Sequence, residues 1–146
     1  MATRAAVVLN AGELQQIQSS DVLAAGVGVI TAVFDGQGSV PATGATAPIV
    51  IPYKGTIIGA RIIADQSGSA VVDVWKTAYS TSTKPTVANT ITASALPTLS
   101  SALANKDDTL TGWTTAVAKD DLITFNLNSV TTCTKVTVEI LINKQN

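Results

Sequence analysis

The carboxylate pairs Asp107–Asp108 and Asp120–Asp121 are the side chains of this chain best equipped for proton transfer. A glycosidase uses two such groups, one on each side of the scissile bond, as acid and base. Neighbouring residues on a strand point to opposite faces, so neither pair aims both groups at one substrate. Aspartates at a turn or a strand entry also bond the local backbone, and that role is expected for both pairs. The sequence has no histidine, so the commonest general base is missing and Ser–His or Cys–His nucleophile pairs are excluded. Cys133 is the single cysteine, which rules out an intrachain disulfide, and a buried apolar role is expected for it. The chain reads as no enzyme.

Other binding chemistries are equally thin. Asp35–Gly36–Gln37–Gly38 loosely resembles a calcium loop but lacks the spaced acidic ligands and the closing glutamate. Gly26–Val27–Gly28 has neither the third glycine nor the following helix of a phosphate-binding turn. Turn glycines account for both, and no metal or cofactor is expected. Carbohydrate stacking would fall to Tyr53, Trp75, Tyr79 or Trp113. Trp75 lies among Val71, Val72 and Val74, which favours a core position. Trp113 follows Gly112 near a turn, where it either stacks a ligand or packs the end of the domain.

Charge and composition limit the partners. Charged residues are 13% of the chain, against about 25% in ordinary soluble proteins. Hydrophobic residues make up 46% while aromatics make up 4%, so the apolar content is aliphatic. A surface with few charges and a net charge of -1 tends to self-associate, and coverage by neighbouring subunits is the favoured explanation. The basic residues Arg4, Lys54, Arg61, Lys76, Lys84, Lys106, Lys119, Lys135 and Lys144 are dispersed along the sequence, which argues against nucleic acid. The apolar run Ala5–Leu9 is too short for a signal peptide, and no run has the length of a membrane span. A soluble protein made in a cytoplasm is expected, with no membrane partner.

The elements that would carry these residues are strands. Thr56–Ala64 and Ala70–Lys76 flank the polar break Asp65–Ser69, which predicts two antiparallel strands joined by a short loop. Gly26–Phe34 is a strand with Val27, Val29, Thr31 and Val33 on one face and Gly28, Ile30, Ala32 and Phe34 on the other. Asp35–Ala47 and Thr77–Asn89 read as long loops, and Pro48–Pro52 as a short edge strand. Thr90–Ala95 reads as a strand. Leu96–Lys106 is either a strand with a bulge or a helical turn, and Asp107–Trp113 holds a short strand and a glycine turn. In Leu122–Asn128, Ile123, Phe125 and Leu127 point inward and Thr124, Asn126 and Asn128 outward. Thr134–Asn143 alternates in the same way, with Val136, Val138, Ile140 and Ile142 inside. About eight strands and no amphipathic helix predict an all-β antiparallel sandwich. A 146-residue chain is most simply one such domain.

Residues 1–25 stand apart as an N-terminal arm ahead of a sandwich domain at 26–146. Asn10–Ala11–Gly12 is a turn signal between Arg4–Leu9 and Glu13–Gln18, which favours a hairpin-like reading. Ala5, Val7, Leu9, Leu14 and Ile17 cannot be buried by so short a segment alone. The arm, with Arg4, Val7, Leu9, Leu14 and Ile17, is therefore the expected assembly contact, and the loop Asp35–Ala47 is second.

The strings Gly55–Lys76, Ile91–Ala95 with Pro97, Thr109–Thr114 and Ile123–Leu127, in that order, resemble a β-sandwich domain of tailed-bacteriophage virion proteins. That domain recurs in head decoration proteins and in tail or head fibres, and the similarity runs from Ile30 to Asn143. The resemblance implies a jelly-roll type of sandwich and a virion structural role without catalytic residues. No heptad stalk accompanies the sandwich here, which favours a capsid decoration (cement) protein over a fibre. A homotrimer on the outer head surface, touching the major capsid protein and made in the host cytoplasm, is the implied arrangement. A tail or head-fibre component contacting the host is the alternative.

Overall fold

The computed structural model describes residues 7–10, 13–16 and 26–145. The architecture follows from β6 (Gly55–Thr77), a single 23-residue strand in place of the expected pair. Its antiparallel neighbours on one edge are β10 (Lys135–Lys144), along Gly55–Ala64, and then β9 (Leu122–Thr131), along Ser69–Thr77. β7 (Thr98–Asp107) pairs with both halves, at Ala60–Ile63 and again at Gly68–Val71. β3 (Val27–Asp35) adds outside β10, while β4 (Gly44–Ala45) and β5 (Ile49–Val50) add outside β9. β8 (Ala116–Val117) pairs with the start of β6. All pairings are antiparallel, and together they make one eight-stranded sheet that curls on itself as a jelly-roll-like sandwich. β1 (Val7–Asn10) and β2 (Glu13–Gln16) form a separate two-stranded sheet.

The polar break Asp65–Ser69 is the corner of that curl. The chain does not reverse there, because β6 keeps partners on both sides of the break; the β9–β10 junction turns at the same level. Asp65 accepts hydrogen bonds from the backbone N–H groups of Thr134 and Lys135 at 3.0 and 2.9 Å, and from the Thr134 hydroxyl. Gln66 Nε2 donates to the Thr132 carbonyl at 2.6 Å, and Thr132 adopts the left-handed φ of 74°. Gly68 has no room for a side chain: a Cβ there would lie 2.5 Å from Cys133 Sγ and 2.6 Å from the Thr131 carbonyl oxygen. Cys133 is fully buried, as its sequence context predicts.

Burial follows the alternation. Ile123, Phe125 and Leu127 of β9 and Val136, Val138, Ile140 and Ile142 of β10 are completely inaccessible. Ile57, Ala60 and Ile62 from the first half of β6 share one core with Ala70, Val72 and Val74 from the second. Burying each large aliphatic side chain stabilises the fold by about 1.5–3 kcal/mol. Trp113 belongs to this core, with its ring N–H donating to the Ala95 carbonyl at 2.8 Å.

Two local expectations change, and one open alternative is decided. Thr90–Ala95 is not a strand: Thr90 makes one isolated bridge to Trp75, and the chain then turns, with Ala93 at φ 51°. The competing interaction is visible, since the Thr90 and Thr92 hydroxyls both donate to Asp73 Oδ1, at 2.6 and 2.7 Å. Leu96–Lys106 is resolved as the strand with irregular register, broken at Ser101, whose φ is 48°. Thr124 is buried rather than outward, and its hydroxyl has no hydrogen-bond partner among the described residues.

Candidate functional site

The residues with chemical potential are occupied in holding the fold. Asp107 accepts from the N–H groups of Thr109 and Leu110, while its neighbour Asp108 pairs with Arg61 at 2.5 Å. Asp121 accepts from the Ala118 N–H and from Lys76 Nζ, both at 2.9 Å, while Asp120 sits in the left-handed region at φ 71°. Neither aspartate pair converges on one point. Asp35 accepts from the Gln37 N–H at 2.7 Å, which with Lys135 holds its carboxyl below the ordinary range. Gly26 and Gly28 lie at the entry to β3; a Cβ at Gly28 would run into the Tyr53 ring.

Of the aromatics, Trp75 departs from the expected core position. Trp75 is half-buried outside the core, and its ring N–H donates to Asp73 Oδ2 at 2.7 Å. Asp73 is buried and accepts from Trp75, Thr90, Thr92 and the Val74 N–H, so its carboxylate is fully engaged. With Trp113 in the core, Tyr79 is the aromatic left well exposed, at 60%. Three of the lysines dispersed in sequence, Lys54, Lys76 and Lys119, line one cleft with Asp121.

Of the assembly residues expected in the arm, Arg4 and Ile17 lie outside the described residues. Val7, Leu9 and Leu14 fall on the β1–β2 hairpin, whose register sets Leu9 opposite Leu14 and Val7 opposite Gln16. The second candidate, Asp35–Ala47, supplies β4 against β9 and a turn at Gly36–Gly38.

A larger surface emerges that the arm-centred reading missed. On β3, Ile30 and Ala32 face the core while Val27, Val29 and Val33 stay 54%, 49% and 56% exposed. Their neighbours across β10, β6 and β7 extend the same outward face. One row runs Val33–Thr137–Ile63–Ala104, and the next runs Thr31–Glu139–Arg61–Lys106. Val29 and Leu141 begin the third row. Ile58, pushed outward beside the bulge in the β6–β10 pairing, adds another exposed isoleucine. The middle row is polar: Thr31 Oγ1 donates to Glu139 at 3.4 Å, and Arg61 is held by Asp108. Aliphatic rows therefore flank a charged stripe, and a shallow cleft of about 470 Å³ lies between Arg61, Ile63, Ala104 and Glu139.

Beyond this face, β3 is an edge. Among the described residues its only pairing partner is β10, and that pairing runs from Val27 to Asp35 without a bulge. The strand contains no proline and no lysine, the usual protections of an open edge. The signal was present in the sequence, since both faces of Gly26–Phe34 carry aliphatic residues. A half-buried strand at a solvated edge needs only one.

No family model matches this chain, and no curated protein does. A solved structure of infectious bursal disease virus, Gx strain, is similar at 12% identity, with a TM-score of 0.25. The match covers 97% of this chain and 41% of the viral one.

Proposed function

We propose that this chain is a virion structural protein of a tailed bacteriophage, specifically a capsid decoration protein. It binds the outer head surface as an oligomer, expected to be a homotrimer, and stabilises the shell by bridging capsomers. The observation that carries this reading is the outward face of β3, β10 and β6, where Val27, Val29, Val33, Ile58 and Ile63 are each at least 41% exposed. Exposed aliphatic rows on either side of a polar stripe favour a protein contact over open solvent. The low charge content and the resemblance to decoration and fibre sandwiches support the same role.

The role is mechanical rather than catalytic, and no nucleic acid, membrane or cofactor takes part. Docking that covers about 1,200–2,000 Å² per contact gives a stable specific complex. Repeated over many copies, it raises the barrier to capsid expansion or rupture. Labelling the protein in intact particles tests the assignment. Hundreds of copies spread over the head are expected. A handful at the tail would replace decoration by a tail or head-fibre role, and absence from purified particles would overturn the virion reading altogether.

A further inference from the structure

β3 turns half of its backbone hydrogen-bonding groups away from the sheet. The direction is fixed at both of its ends. The Gly36 N–H donates to the Thr134 carbonyl, and the Lys144 N–H donates to the Gly26 carbonyl, both at 2.9 Å. Successive residues of an antiparallel strand alternate between bonding the neighbour and pointing away from it. The even-numbered residues of β3 therefore bond β10, and the N–H and C=O groups of Val27, Val29, Thr31, Val33 and Asp35 point to the open edge. All five residues are exposed, and among the described residues no backbone group bonds them.

We infer that β3 pairs antiparallel with β3 of a second copy of this chain, across a two-fold axis at Thr31. A two-fold contact uses the same patch on both copies, so the strand must be complementary to itself. The nine residues of β3 are complementary in this register, because Thr31 is their midpoint. Thr31 then lies opposite Thr31 of the second copy, Val29 opposite its Val33, and Val27 opposite its Asp35. Each of these is a hydrogen-bonded pair exchanging two N–H···O bonds. Side chains agree with the backbone. Val29 beside a second Val33 carries the aliphatic rows across the axis without a break. The two Glu139 carboxylates stay three strand spacings apart, about 14 Å, with both Thr31 side chains between them. Asp35 faces a valine and keeps its own partner, Lys135. No like charges meet. Edge pairing of this kind leaves the outward side chains uncovered, so the joined face remains available to a third partner. The contact goes beyond the capsid role proposed above and does not depend on it.

The test uses the full chain in solution. Cα atoms of a hydrogen-bonded pair lie about 5.5 Å apart, within disulfide range. Thr31→Cys should therefore cross-link to itself under mild oxidation, at least tenfold faster than Val27→Cys, whose two copies sit about 26 Å apart along the paired strands. An equal mixture of Val29→Cys and Val33→Cys should cross-link, and neither should do so alone. The native Cys133 is fully buried and does not compete. In the parent, the Val29, Thr31 and Val33 amides should exchange at least tenfold more slowly at concentrations where native mass spectrometry shows even-numbered species than in diluted monomer.

A parent that stays monomeric, or forms only odd-numbered species, overturns the inference. So does equal cross-linking of Thr31→Cys and Val27→Cys, or fast exchange of the three amides at every concentration. A cross-linked pair that ignores every particle offered counts against the virion role alone. Particle binding by a Thr31→Cys protein that never cross-links counts against the edge pairing alone.

Discussion

The carboxylate of Asp65 binds Thr134, 69 residues further along the chain, through both its backbone N–H and its hydroxyl. The Lys135 N–H adds a third donor at 2.9 Å. One side chain thereby fastens the bend of β6 to the β9–β10 junction. The curl of the sheet, and with it the orientation of the β3–β10 face, depends on that corner.

Acid should loosen the corner. The Thr134 hydroxyl, followed by the Lys135 N–H, lowers the Asp65 carboxyl from 3.8 to about 2. A depressed folded-state value means the stabilisation is complete above the ordinary carboxylate range and is lost as pH falls toward 2. Thermal melts between pH 5 and 2 should show a shallower acid decline for Asp65→Asn than for the parent. Identical acid slopes would show that the carboxylate contributes nothing.

Gly68 is the steric counterpart of Asp65 in the same corner. Gly68→Ala places a methyl group against Cys133 Sγ and the Thr131 carbonyl, and should cost about 1–3 kcal/mol in urea unfolding. Because one of those contacts is backbone, Cys133→Ala in the same chain should relieve only part of the loss. Complete rescue would mean that the thiol alone sets the limit.

Thr124 offers a gain. Its hydroxyl is fully buried without a partner among the described residues, so Thr124→Val removes an unpaid desolvation while keeping the β-branched shape. Stability should rise by about 1 kcal/mol, read as a higher melting temperature. A fall would show that the hydroxyl is satisfied in solution.

Phe125 is the largest fully buried side chain and lies at the centre of β9. Phe125→Ala should destabilise by about 3–5 kcal/mol in urea unfolding. A loss below 1 kcal/mol would contradict the shared core between the two halves of the curled sheet.

Much of the sandwich was legible because period-2 alternation is a direct consequence of one buried face. β9 and β10 follow it residue by residue at every inward position. The alternation failed at Thr124, where the outer face of β9 is itself covered. At Asp65–Ser69 the composition was informative but its meaning was ambiguous. Small polar residues suit a reversal and also suit a corner, and only long-range pairing with β7, β9 and β10 decides between them. Thr90 and Thr92 have strand-forming side chains, yet a buried carboxylate nearly twenty residues earlier captures their hydroxyls. Trp75 missed its expected core position because Asp73 holds it outside, while Trp113 packs into the core, one of the two roles its position allowed, with its ring N–H satisfied by the Ala95 carbonyl. The exposed valines of β3 were visible as a doubly apolar strand. Their accessibility required knowing that β3 is an edge, which no local pattern encodes.

The most direct test of the central claim is hydroxyl-radical footprinting of Val29, Val33 and Ile63 in intact particles and in dissociated protein. Strong protection of all three side chains is expected in the particle, with ready oxidation once the protein is released. Equal reactivity in both states would contradict it, because a surface that stays open to water in the assembled particle holds nothing in place.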